Sequence, residues 1–296
     1  MRRQLIADAG LLLVTVIWGA TFVMVKDAVS AFPVFSFLAL RFALAALALA
    51  PFAVRYSLRA ARSPAAEAPR NTRGLVAASV LVGLALFAGY GLQTAGLILT
   101  TPAKAGFITG LSVVFVPIGA AVILRQPPSR NASLGVLFST IGLALLSVTK
   151  GWTMEAGDLL VLGCAFSFAA HILLLGRFAP HFHPLLLTVG QVTVVGLLSA
   201  AAALLFDEPV PISRAVLLAA AFTGVLATAL AFGIQTIAQR FTTSTHTALI
   251  FAAEPVFAGL ASFLLIGELL GPRQIAGSAL ILLGMVVAEL KMGARR

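Results

Sequence analysis

Few residues of this chain can do chemistry, and most of them stand inside apolar runs. Glu254 lies about ten residues into one such run, roughly 15 Å deep at 1.5 Å per helical residue. Desolvation at that depth suits a carboxylate to proton coupling or to binding a substrate amine. Pro255, which has no N–H to donate, predicts a kink beside it. Arg41 stands about eight residues into another run, with Glu254 or a lipid phosphate as its candidate partners.

Two glutamines share a context. "GLQT" at 91 to 94 returns as "GIQT" at 233 to 236, each followed by "TT" at an offset of 142. Gln93 and Gln235 could line a path, donating to a solute carboxylate and accepting from its amine, or tie helices together. Phe87 and Tyr90 precede Gln93 at three-residue spacing and share its helix face. With Trp18 they form a candidate aromatic lining, or plain core; Trp18 and Tyr90 each carry a polar group that needs a partner when buried. Lys104 and its repeat mate His246 begin apolar runs, where a cation could draw an anionic group towards a mouth; Lys104 could equally snorkel to the interface. These seven residues, Trp18, Tyr90, Gln93, Lys104, Gln235, His246 and Glu254, are the candidate substrate-binding set.

Catalytic signatures are missing. No cysteine or carboxylate cluster completes a metal site around His181 and His183, and the chain lacks a Walker glycine loop, a G-x-S-x-G elbow and an H-E-x-x-H pair. His171, His246 and Glu254, which an intramembrane enzyme would have to use, fall on different runs. The expectation is therefore no enzyme, no cofactor and no metal.

The elements that must position these groups are membrane spans. Hydrophobic residues make up 60% of the chain and charged residues 10%, against roughly a quarter charged in soluble domains. Leu75 to Leu99 and Pro184 to Phe206 carry no charge, and about 20 such residues cross the hydrocarbon core as a helix. Ten spans are expected: 8-27, 33-54, 74-97, 102-124, 131-149, 157-176, 184-206, 213-239, 244-266 and 272-290. Between them the basic residues segregate. Arg2, Arg3, Arg55, Arg59, Arg62, Arg70, Arg73, Arg125, Arg130, Arg177, Arg240, Lys291, Arg295 and Arg296 fall on one side, and Lys26, Lys150, Arg214 and Arg273 on the other. The positive-inside rule then puts both termini in the cytoplasm. The net charge of +10 is thus a topology signal rather than a nucleic-acid footprint. "MRR" before an apolar run also resembles a signal peptide, but that run is long and is followed by nine more that need a fixed orientation. The single cysteine, Cys164, excludes an intramolecular disulfide.

The offset of 142 persists from Gly91 to Thr149. Gly91, Gln93, Thr94, Thr100, Thr101, Gly135 and Gly142 face Gly233, Gln235, Thr236, Thr242, Thr243, Gly277 and Gly284, polar and glycine matches that apolar composition does not readily supply. Residues 1-150 and 151-296 read as two copies of one five-span unit. Five is odd, so the second copy starts on the opposite side of the membrane. Inverted repeats of this kind characterise secondary transporters, which swap the roles of their halves about a midplane site.

"WGATF" at 18 to 22, "LRFALAAL" at 40 to 47, "EPVFAGLASFLLIGE" at 254 to 268 and "GSALILLGMVV" at 277 to 287, in this order over ten spans, resemble the drug/metabolite transporter superfamily in its EamA branch. The first half departs from that pattern, with Ser112-Val113 and Arg125-Gln126 where the second has Glu254-Pro255 and Gly267-Glu268. A role needing a carboxylate there can belong only to the second half, and the resemblance, in which the Glu-Pro pair recurs, equally implies an architectural role for Glu254-Pro255. The resemblance implies a ten-helix exporter of the inner (plasma) membrane, with spans one, three, four, six, eight and nine around a cavity. It implies a small-molecule substrate, most readily an amino acid, with drug-like compounds or nucleobases as alternatives. Lipid is the remaining partner. An intramembrane enzyme or a membrane sensor is the competing class.

Overall fold

The computed structural model describes residues 2–62, 71–147, 153–266 and 271–290. Arg70, Lys150, Gly267, Glu268, Lys291, Arg295 and Arg296, used in the charge count and the ninth-span motif, lie outside them. All regular structure among the described residues is helical. The first half contains α1 (Arg2–Gly19), α2 (Phe22–Ala31), α3 (Val34–Arg62), α4 (Thr72–Leu99), α5 (Pro102–Gly110), α6 (Ser112–Val122) and α7 (Arg130–Ser147). The second contains α8 (Ala156–Phe178), α9 (Pro184–Phe206), α10 (Arg214–Gly224), a π-helical segment (Val225–Leu230), α11 (Ala231–Ala238), α12 (Ser244–Phe251), α13 (Glu254–Ile266) and α14 (Pro272–Glu289).

Seven stretches are long and apolar enough to cross a membrane, and an eighth is if α1 and Met24–Ala31, bent by 43°, count as one. The other two expected spans fall on the α12–α13 pair and on α14, which do not meet that measure. Large apolar side chains cover the outside, among them Leu204, Leu205, Phe206 and Val122, a surface suited to lipid and not to water.

Local chemistry sets the helix starts. In each "TT" pair the second threonine is an N-cap: Thr101 accepts from the Lys104 N–H and Thr243 from the His246 N–H, both at 3.2 Å. Asn71 and Ser213 cap α4 and α10 in the same way. Pro102, Pro184 and Pro272 occupy first-turn positions that need no donor.

Packing follows the repeat. α4 lies on α8, and its counterpart α11 on α1; α5 and α6 lie on α8, and their counterparts α12 and α13 on α1; α3 meets α9, and α7 meets α14. Along that last seam a Cβ added at Gly142 would lie 2.6 Å from the Gly277 carbonyl oxygen, and one at Gly135 2.6 Å from that of Gly284. Only glycine lets these two backbones touch.

Around the centre the elements are interrupted. α1 gives way to α2 at Ala20 and Thr21, α5 to α6 at Leu111, α10 to α11 through the π segment, and α12 to α13 at Ala252 and Ala253. The sequence attributes the last break to Pro255. The structure corrects that attribution, since Leu111 is the repeat mate of Ala253 and the same break occurs there with Val113 in place of proline.

Candidate functional site

The breaks surround a central cavity of about 70 Å³. It is therefore cramped, and a solute of many atoms requires side chains to part. Trp18, Tyr90, Gln93, Gln235 and Glu254 all line it, five of the seven residues singled out in the sequence. Lys104 and His246 are not in its lining and sit at opposite ends. Phe87, placed by spacing on the face of Tyr90, packs instead beside Phe35 at 6.3 Å.

Glu254 is the first residue of α13, so its carboxylate stands at a helix N-terminus within the protein, where the helix dipole favours negative charge. Gly19 places it there. A Cβ at Gly19 would lie 2.7 Å from the Glu254 carbonyl oxygen, so α1 and the α12–α13 break are in backbone contact. Among the described residues no side chain forms an ion pair with Glu254, and Glu254 lines the cavity. Ser112, the repeat mate of Glu254, likewise starts α6 and lines the cavity.

Arg41 does not pair with Glu254, as the sequence had allowed. It is buried on α3, donating from Nε to the Thr228 hydroxyl at 2.8 Å and from Nη2 to the Tyr90 hydroxyl at 3.1 Å, with its guanidinium 4.6 Å from the Tyr90 ring centre. Thr228 belongs to the π segment and donates to the Thr223 carbonyl five residues back, so the irregular turn holds the arginine. The same segment satisfies Trp18, whose indole N–H donates to the Ala227 carbonyl at 2.8 Å. Trp18 packs on Phe251 and Phe232 at 4.9 and 5.4 Å, and Tyr90 on Phe168 at 5.4 Å. The result is an aromatic wall interrupted by one cation and one carboxylate.

The two glutamines differ. Gln93 faces the cavity and donates to the Thr109 hydroxyl at 3.2 Å. Gln235 is fully buried; it donates from Nε2 to the Gln239 side-chain oxygen Oε1 at 3.0 Å, and its own Oε1 has no hydrogen-bond partner among the described residues. Gln239 donates in turn to the Ile172 carbonyl at 2.9 Å and lines a wider vestibule with Arg177, His181, Arg240 and His246. The Gln235–Gln239 pair thus separates cavity from vestibule. Behind it His171 meets Gln191 at 2.8 Å, and Gln191 donates to Thr236.

Sequence reasoning did not single out Ser112, Thr109, Phe232 or Phe251 as lining residues. The offset of 142 could have found them. Tyr90 and Phe232, Gln93 and Gln235, Thr109 and Phe251, and Ser112 and Glu254 are four pairs of repeat mates, and all eight residues line the cavity.

At the vestibule end, Asp8, His246 and Glu289 bring one imidazole nitrogen and two carboxylates within 4.8 Å of one another, a donor set that could also hold a divalent cation. The sequence did not point to it, because its members are far apart in the chain.

An apolar helical assembly whose interrupted helices converge on a buried, mixed polar and aromatic cavity is the architecture of a membrane carrier. The pattern of the EamA-like transporter family matches residues 5–148 and again 155–289, and the chain belongs to that family. It is 33% identical over 290 residues to an uncharacterized transporter of Archaeoglobus fulgidus, covering 98% of this chain and 88% of that protein. It is 28% identical over 286 residues to the uncharacterized transporter YyaM of Bacillus subtilis, covering 92% and 89%. A solved crystal structure, 20% identical, superposes with a TM-score of 0.78 over 96% of both chains, a likeness of fold. The protein is a multi-pass membrane transporter and not an enzyme.

Proposed function

We propose that the protein is a secondary transporter that exports small amphipathic metabolites, amino acids with apolar or aromatic side chains foremost, across the inner (plasma) membrane. Drug-like compounds and nucleobases are the alternative cargo. The observation that carries this reading is the cavity wall: a carboxylate without a protein ion-pair partner among the described residues, opposite aromatic rings and an arginine. Glu254 receives the solute amine. Gln93, Arg41 and the N-terminus of α6 offer donors for its carboxylate, and Trp18, Tyr90, Phe232 and Phe251 take the apolar body. In this reading the ten spans form two inverted five-helix units, 1-150 and 151-296, with both termini cytoplasmic. The charge count, the matched helix pairings and the double family match support it. Alternating access is then rocking of one unit against the other about the broken helices.

The test is counterflow of labelled amino acids in proteoliposomes, with and without a pH gradient, beside a panel of drug-like amines and nucleobases. Saturable exchange of apolar or aromatic amino acids is expected. Exchange confined to drug-like amines would overturn the cargo, and no flux of any solute would overturn the carrier. The topology has its own check: cysteines at positions 65 and 208 should label from opposite sides, and same-side labelling refutes the inverted arrangement.

A further inference from the structure

Lys104 and His246 lie at the two ends of the cavity, beyond its lining, and each has a carboxylate from the other half of the chain beside it. Lys104, on α5, holds Asp158 and Glu155 at the start of α8, each at 3.2 Å, and donates to the Thr153 carbonyl at 3.0 Å. His246, on α12, stands 3.5 Å from Asp8 on α1 and in contact with Glu289 on α14. The correspondence is position by position. Lys104 and His246 are repeat mates, each three residues beyond its capping threonine. Asp158 and Asp8 each lie three residues into their family match. Thr100 and Thr242, the first members of the two "TT" pairs, face Asp158 and Asp8.

We propose that these clusters are the two gates of the carrier. Lys104, Asp158, Glu155 and Thr100 form one latch and His246, Asp8, Glu289 and Thr242 the other, each tying a half of the molecule to its counterpart and closing the cavity at one end. This rests on the alternating-access reading above. Both latches are engaged in this structure, which accounts for the cramped cavity, but not equally. At the Lys104 end the bonds are made: Asp158 is fully buried and accepts from Thr100 at 2.5 Å. At the His246 end Asp8 and the Thr242 hydroxyl are shielded from solvent without a formed hydrogen bond, and the wide vestibule adjoins His246. The charged groups around that vestibule are Arg177, Arg240 and His181, with Asp8 and Glu289 on the elements packed against α12. The His246 end, cytoplasmic by the charge count, is therefore the looser gate and the one that opens first.

The experiment places a reporter cysteine at Val25, a cavity residue, and adds a membrane-impermeant maleimide to one face of proteoliposomes at a time. The native Cys164 is fully buried and serves as the unlabelled background. Lys104→Gln and Asp158→Asn should raise labelling from the Lys104 face roughly fivefold or more, the population shift expected for loss of a partly buried pair, and leave the other face unchanged. His246→Gln and Asp8→Asn should do the reverse by a smaller factor, because that latch is already loose. Lys104→Arg keeps the cation and should label like the parent, which separates gating from misfolding; thermal unfolding in detergent checks each variant. Unchanged labelling in folded variants of a carrier that still exchanges solute overturns the gates. No exchange by the parent protein overturns the transport reading instead. Labelling at the His246 end that changes with a chelator overturns direct side-chain closure there in favour of a bound metal.

Discussion

The seam between α7 and α14 and the wall of the cavity are made from the same two repeats, yet they use the duplication in opposite ways. At the seam the mates are identical, Gly135 with Gly277 and Gly142 with Gly284, and each glycine abuts a carbonyl of the opposite helix. At the cavity three of the four pairs of mates diverge, Tyr90 against Phe232, Thr109 against Phe251 and Ser112 against Glu254, and only Gln93 and Gln235 are alike. Backbone contact leaves no room for a choice of side chain. A site that must tell one end of a solute from the other needs unlike groups facing each other. The two regions should accordingly fail in different ways, the seam by losing folded protein and the cavity by losing flux.

The largest effect on folding is expected from Gly142→Ala with Gly135→Ala. Each Cβ meets a carbonyl oxygen that cannot move without its helix, and overpacking of this kind costs about 1–3 kcal/mol per site. Thermal unfolding in detergent should show the loss, and a stable double variant would break the comparison at its firm end. Glu254→Gln tests the other end. Removing a charge-assisted bond to the solute amine should cost about 1.5–3 kcal/mol of binding, roughly ten- to a hundredfold in half-saturation, with unfolding temperature unchanged. An equal fall in stability would move Glu254 from solute recognition to architecture.

The glutamines sharpen the comparison within the cavity. Gln93→Leu should lower flux with little loss of stability, because Gln93 faces the space and has one bond to Thr109. Gln235→Leu should cost about 1 kcal/mol of stability, since it strips Gln239 of a donor. The reverse pattern in paired flux and unfolding measurements would exchange their roles. The smallest change is expected at Arg125, which has a φ of 55° at the end of α6, where its repeat mate is Gly267. Arg125→Gly should stabilise the protein by about 1 kcal/mol through relief of the left-handed backbone, read as a raised unfolding temperature with flux intact.

Much of the cavity lining was legible in the sequence. Trp18, Tyr90, Gln93, Gln235 and Glu254 could be found because polar and amphipathic groups inside apolar runs are costly and so report an interior path. The spans that resemblance implied for the cavity are those that line it, with Arg41 of α3 added. Lys104 and His246 were recognised as a matched pair at helix starts, but their carboxylates were not. Asp158 and Asp8 lie far from them in the chain, and an ion pair between helices has no local spacing to betray it. Phe87 shows the converse error: three-residue spacing put it on the face of Tyr90, but a helix face is broad, and only the neighbouring helix decides which part of it looks into the cavity.

Composition and hydropathy were enough to fix an apolar helical membrane protein, and the offset of 142 to point to two like halves, because each is a property of the chain read locally or against itself. The breaks at Leu111 and Ala253, the π segment that holds Arg41 and Trp18, and the joining of each half to the other through a basic side chain and a distant aspartate came only from the tertiary structure. They depend on which backbones lie side by side, and that is settled by packing between segments that the sequence leaves far apart.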